Sequence, residues 1–124
     1  MKTHKDLIVW QKSMDLAVLV YQHTNKFPKE ELYGIVSQMR RASVSISSNI
    51  AEGHGRFSNK ELIRFLFISL GSTSELETQL ALSLRLGFLS DESFKILNDL
   101  NNEVLKMLVA LIRSKNNGQL LVNE

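Results

Sequence analysis

Three basic residues, Arg56, Lys60 and Arg64, stand four apart where a turn runs into a helix, so the last two share a helix face that Arg56 reaches from the turn. Arg40 and Arg41 lie upstream on a helix that returns antiparallel past them and can extend the stripe. Cations on a rigid surface neutralise phosphates and release counterions, the sequence-independent part of nucleic-acid affinity. A solvated face is the plainer reading of the same charges. Between Arg40 and Arg64 there are five basic and two acidic residues, a local balance of +3 within a chain whose total is only +2. The total does not declare a nucleic-acid partner; the distribution points to one.

Other chemistry finds no recognisable apparatus. Glu75, Glu77 and Glu103 have no histidine near them in sequence, whereas helical di-metal sites use Glu-x-x-His pairs, and His4, His23 and His54 fall in different segments. No metal site is expected. Gly53-His54-Gly55-Arg56 lacks the Gly-Lys-Ser/Thr ending and the preceding strand of a P-loop, so a tight interhelical turn explains its glycines. There is no Gly-x-Ser-x-Gly elbow, and the chain has no cysteine to supply a thiolate nucleophile or metal ligand. The expectation is a protein without catalytic residues and without a cofactor.

The elements that must carry the basic residues follow from composition and period. The 124 residues fit one domain, and 44% hydrophobic with 23% charged residues is ordinary for a folded chain. One proline and six glycines leave room for long helices, which favours an all-α fold. Helix one is predicted from Asp6, as N-cap, to Thr24, with Leu7, Trp10, Met14, Ala17, Val18 and Tyr21 on its core face. Helix two runs from Glu31 to Glu52 on a seam of Leu32, Val36, Met39, Ser43, Ile46 and Ile50, and either Gly53 or Gly55 closes it in the left-handed conformation. Ser58-Asn59-Lys60-Glu61 is a capping box that opens helix three, whose seam reads Leu62, Leu66, Ser69, Thr73, Leu76 and Leu80 as far as Gly87. Ser90-Asp91-Glu92 opens helix four on Leu97, Leu100, Val104, Met107 and Leu111. Short connections make this an antiparallel up-and-down four-helix bundle over residues 1–115, with 116–124 expected as a flexible tail.

Two helices carry more apolar surface than a lone bundle uses. Val9, Leu16 and Val20 lie half a turn from the expected seam of helix one, and Ile63, Phe67 and Leu70 do the same on helix three. They are predicted to form an oligomer interface. Small residues from Ala42 to Ser48 and from Ser69 to Ser74 let helices two and three approach closely, a packing that would offset the helix cost of Gly71. Asn49 and Glu52 are expected to bond the following loop or a neighbouring subunit. The longest apolar run, Met107 to Ile112, is far too short to span a membrane, and Leu7-Ile8-Val9-Trp10 is too short for a signal-peptide core. A cytoplasmic protein is expected.

Val9-Trp10-Gln11-Lys12, Phe27-Pro28, Ser37-Gln38-Met39-Arg40-Arg41-Ala42, Asn49-Ile50-Ala51-Glu52-Gly53, Ile68-Ser69-Leu70-Gly71-Ser72 and Ser74-Glu75-Leu76-Glu77-Thr78-Gln79 occur here in this order. Together they resemble the bacterial four-helix-bundle proteins encoded in intervening sequences of 23S ribosomal RNA genes, over nearly the whole chain. The resemblance implies a homo-oligomer, a ring of five bundles like that of the related accessory proteins of diversity-generating retroelements. Those relatives are thought to bind RNA or DNA through basic surfaces and to partner a reverse transcriptase. By motif match only Arg40, Arg41 and Arg56 carry over; Lys60 and Arg64 extend the set on spacing alone. Relatives often have proline where this chain has Ser47, which makes helix two straighter here. A protein-binding scaffold without nucleic-acid binding is the alternative.

Overall fold

In the computed structural model, which describes residues 3–116, the chain forms four α-helices: α1 (Ile8–Thr24), α2 (Ile35–His54), α3 (Asn59–Arg85) and α4 (Asp91–Asn116). Each packs on its neighbours in sequence and α1 closes the ring against α4, while the backbones of the diagonal pairs stand further apart. This is the expected up-and-down bundle. Of the predicted tail, Asn116 is the last residue of α4 and the rest lies outside the described residues. No described helix is long and apolar enough to cross a membrane.

Apart from Leu32, which is exposed, and Leu62, which is half-buried, the α2 and α3 seams are as read from sequence. Val36, Met39, Ser43, Ile46 and Ile50 face Leu66, Ser69, Thr73, Leu76 and Leu80 across the core, and all are buried. Small hydroxyl residues bring the two helices together with their own buried oxygens hydrogen-bonded. Ser69 Oγ donates to the carbonyl of Ile46 across the interface at 2.9 Å, and Ser72 Oγ donates to Ser45 Oγ at 3.0 Å. Such bonds offset the desolvation of the hydroxyls they use. Gly71 takes no part: a Cβ there meets nothing within 4 Å, so packing does not offset its helix cost.

Helix α1 is rotated from its expected orientation. Its buried residues are Val9, Ser13, Leu16, Val20 and Thr24, whereas Met14, Val18 and Tyr21 of the expected core face are exposed. Val9, Leu16 and Val20 are therefore core residues and not an oligomer interface. The buried stripe has the right period but two polar members, which disguise it in sequence. Ser13 Oγ bonds the Trp10 carbonyl at 2.7 Å and meets Ser47 Oγ at 3.0 Å, and Thr24 Oγ1 donates to the Val20 carbonyl at 2.7 Å. Satisfied hydroxyls are admissible in a core.

Helix boundaries moved for local reasons. A 3-10 turn, His4–Asp6, precedes α1, and Asp6 closes a capping box with Thr3 rather than capping α1 itself. Pro28 caps a second 3-10 turn, Lys29–Glu31, so α2 begins at Ile35 and Leu32 is left exposed. Ser58 caps α3 as expected, its Oγ accepting from Glu61 N at 3.2 Å. Gly87, with φ of +79°, ends the α3 turn in the left-handed region, and the Phe88 amide reaches back to the Ser83 carbonyl at 2.9 Å. On α4 the buried line is Leu97, Asn101, Val104, Leu108 and Ile112, with Leu100, Met107 and Leu111 at its half-buried edge. Asn101 enters the core because its Nδ2 donates to the Thr73 carbonyl on α3 at 2.9 Å.

Candidate nucleic-acid interface

The turn between α2 and α3 gathers the basic residues that sequence spacing placed together. Arg56 and Arg64 share one aromatic ring: their guanidinium carbons lie 4.9 and 4.5 Å from the Phe65 centroid. Each also holds a carboxylate of its own helix segment. Arg56 Nη2 meets Glu52 Oε2 at 2.7 Å, and Arg64 Nη2 meets Glu61 Oε1 at 3.2 Å. The Arg64 hydrogen bond holds the Glu61 carboxyl below the usual range, with Arg56 and Lys60 adding to it. Lys60 is exposed and makes no ion pair within 4.0 Å among the described residues.

Two consequences follow. The carboxylates neutralise part of the local charge, so three cations leave one net positive charge at the turn. The ring and the carboxylate give each guanidinium two partners, which favours its placement at the turn. Both arginine side chains stay about half exposed, at 44% and 57%. Glu61 thus bonds Arg64 rather than returning to the Ser58 amide as the second half of a capping box.

Gly53 sets the geometry beneath. It takes neither of the roles expected for it: it lies within α2, buried, and neither it nor Gly55 adopts a left-handed conformation. A Cβ at Gly53 would stand 2.8 Å from Phe65 Cβ and 3.2 Å from the Leu62 carbonyl. Only glycine lets α2 come this close to the residues that carry Phe65. Gly53→Ala is expected to lower stability by about 1–2 kcal/mol, overpacking outweighing the gain in helix propensity. A thermal melt checks this; a melting point equal to or above that of the parent would contradict it.

Arg40 and Arg41 do not join this cluster. Arg41 stands about 22 Å along the helix from the turn at about 1.5 Å per residue. It is exposed beside a groove it lines with Tyr33, Ser37, Ser45 and Glu75. Arg40 points the other way and ties α2 to the end of α1. Its Nε donates to Thr24 Oγ1 and its Nη2 to Asn25 Oδ1, each at 3.1 Å, and the guanidinium lies 4.5 Å from the Tyr21 ring centre. That set of contacts makes Arg40 a strut, and the single stripe expected from sequence is two separate features.

The structure adds Phe57, which sequence reading passed over. It is fully exposed, next to Arg56, and shares a cleft of about 380 Å³ with His4, His54 and Arg56. An apolar residue in a turn otherwise made of Gly, His, Arg, Ser and Asn was the available signal. Asn49, expected to bond the loop or a neighbour, instead donates to Ser45 O and Oγ in its own helix at 2.9 and 3.0 Å. Glu103 pairs with Lys12 at 2.8 Å across α4 and α1, a contact that raises the Lys12 pKa. Among the described residues no group of three or more histidines and carboxylates is placed to hold a metal ion.

Of the apolar residues expected at an interface, Phe67 is exposed on α3, whereas Ile63 and Leu70 are half-buried against the core edge. Ile68 beside Phe67, and Met14, Val18 and Tyr21 on one face of α1, are exposed as well.

Comparison with known proteins places this geometry in context. A structure from Bacteroides thetaiotaomicron, a protein with unknown function from the S23 ribosomal protein family, superposes with a TM-score of 0.78 at 27% identity. The match covers 86% of this chain and 99% of that one. Comparison with curated proteins gives no match. The family model for 23S rRNA-intervening sequence proteins matches residues 5–110, which takes in α1 to α3, the α2–α3 turn and most of α4. The chain belongs to the 23S rRNA-intervening sequence protein family.

Proposed function

We propose that this chain is a non-catalytic, cytoplasmic, homo-oligomeric bundle that binds RNA or DNA at the α2–α3 turn. The observation that carries the reading is the convergence of Arg56, Lys60 and Arg64 on one edge, two of them held on the Phe65 ring. Fixed cations on a convex helical edge suit phosphates. The family's link to 23S rRNA genes makes ribosomal RNA fragments the first ligands to try. Titration of such fragments at several salt concentrations tests it. Three phosphate contacts give a log–log slope near −2 per protomer for single strands. No binding at low salt, or binding indifferent to salt, would sink the reading.

Assembly is the second part of the proposal, in the form of the five-bundle ring that the family resemblance implies. The apolar side chains left exposed on α1 and α3 support it: Met14, Val18 and Tyr21, with Phe67 and Ile68. Val18→Glu and Phe67→Glu are expected to lower the solution mass to that of one chain while leaving helicity unchanged. Light scattering at micromolar concentration reads this. A parent protein that is already monomeric would contradict it.

A protein-binding scaffold is the competing reading, favoured by the carboxylates that accompany Arg56 and Arg64. Its partner of choice, by the same resemblance, is a reverse transcriptase. In that case the salt titration gives no RNA binding and the apolar variants lose partner binding instead.

A further inference from the structure

We propose that the α2–α3 turn selects unpaired nucleotides, with Phe57 as the ring on which a base stacks while Arg56, Lys60 and Arg64 take the adjoining phosphates. This rests on the nucleic-acid reading above and names the class of ligand within it.

The case begins with Phe57. It is fully exposed at the tip of the bundle and belongs to no part of the core cluster, so the fold gains nothing from its ring. Scattered exposed apolar residues are common on protein surfaces and carry no message alone. This one is flanked on its own turn by Arg56 and, within one turn of α3, by Lys60, with Arg64 a further turn along. Lys60 and Arg64 lie about 6 Å apart along α3, a step on the order of one nucleotide of an extended strand. The cleft beneath Phe57 is walled by His4, His54 and Arg56, whose flat groups also offer stacking faces.

Aromatic rings interleaved with cations are how proteins hold single strands: the cations track the backbone and each ring takes a base face. A duplex offers the same phosphates but keeps its bases stacked and paired. Cations alone therefore bind both forms, and only an exposed ring tells them apart. Glu52 and Glu61 lower the charge of the turn to one net positive, and each is paired with an arginine while Lys60 makes no ion pair among the described residues, so the base-stacking ring matters the more for affinity.

Fluorescence anisotropy of the full-length protein decides it, with labelled 12-nucleotide single-stranded RNA, the DNA strand of the same sequence, and the corresponding blunt duplex, all at low salt. The parent is expected to bind single strands more tightly than duplex. Phe57→Ala should weaken single-strand binding by about five- to hundredfold and leave duplex binding unchanged, and Phe57→Trp should restore it. The RNA and DNA arms share the unpaired base, so a difference between them reports contact with the 2′-hydroxyl and supports the same site. Single strands and duplex bound equally, with Phe57→Ala without effect, would overturn this inference while leaving nucleic-acid binding intact. If neither form binds at low salt, the wider reading fails and takes this one with it. A Phe57→Ala protein of lower solution mass than the parent would show that a second copy covers the ring, which also overturns it.

Discussion

Leu16→Glu unfolds the bundle. Leu16 is wholly buried between α1 and its neighbours, so the substitution removes a packed aliphatic side chain at a cost of about 2–5 kcal/mol. It also places a carboxylate in the apolar core, which adds several kcal/mol more or forces the group to take up a proton. The sum is comparable to the whole net stability of a domain, about 5–15 kcal/mol. Circular dichroism should show lost helicity or a melting point lowered by tens of degrees, against a change within about 0.5 kcal/mol for an exposed substitution. Val18→Glu, two residues on and exposed, supplies that contrast. A Leu16→Glu protein that melts like its parent would mean that α1 is turned the other way, with Val18 inward.

The second large effect belongs to the surface. Arg56→Glu/Lys60→Glu/Arg64→Glu replaces three cations at the turn by carboxylates that stand beside Glu52 and Glu61. Phosphate attraction becomes repulsion, and affinity for single-stranded RNA at low salt should fall by more than about a hundredfold, with the salt slope near zero. The fold should persist. Two exposed cation–ring contacts to Phe65 are lost, at about 0.5–1 kcal/mol each, together with two surface ion pairs, so the triple variant melts about 5–15 °C lower but stays folded. Arg40 is left out of the set for a physical reason. Its guanidinium is committed to Thr24, Asn25 and Tyr21, and reversing its charge would disturb the α1–α2 join before it touched any ligand.

Much of this fold was legible in the residues. Ser58, three before Glu61, marks a helix start by its chemistry, and its hydroxyl does cap α3. The α2 seam was readable because its two faces differ in polarity, and the α3 seam, in spite of Ile63, Phe67 and Leu70 on its other side, because small residues recur on it at the period of the contact. Helix α1 was not, since both of its faces are apolar and the buried one contains Ser13 and Thr24. The hydrogen bonds that make those hydroxyls admissible, to Trp10, Val20 and Ser47, exist only once the helices are folded and packed. Asn101 misled in the same way, its partner being a carbonyl on another helix.

The candidate site was legible in part. Arg56, Lys60 and Arg64 share an edge because a four-residue step keeps helical residues on one side, which is a property of the backbone. Arg40 and Arg41 are adjacent in sequence yet 100° apart around α2, so one turns to α1 and the other to α3's groove. Gly53 announced itself as a glycine, but its cause is a close approach to Phe65 and Leu62 rather than a left-handed turn. Phe57 carries no periodic signal at all, being a single apolar residue in a turn; only its full exposure beside the cations gives it meaning.

The most direct test maps where nucleic acid touches the chain. Photo-crosslinking of the assembled protein to single-stranded RNA carrying 4-thiouridine, followed by peptide mass spectrometry, should place the crosslink between residues 54 and 64, on Phe57 or its neighbours. Crosslinks confined to α4, or none at low salt under conditions that label a known single-strand binder, would contradict an interface at the α2–α3 turn.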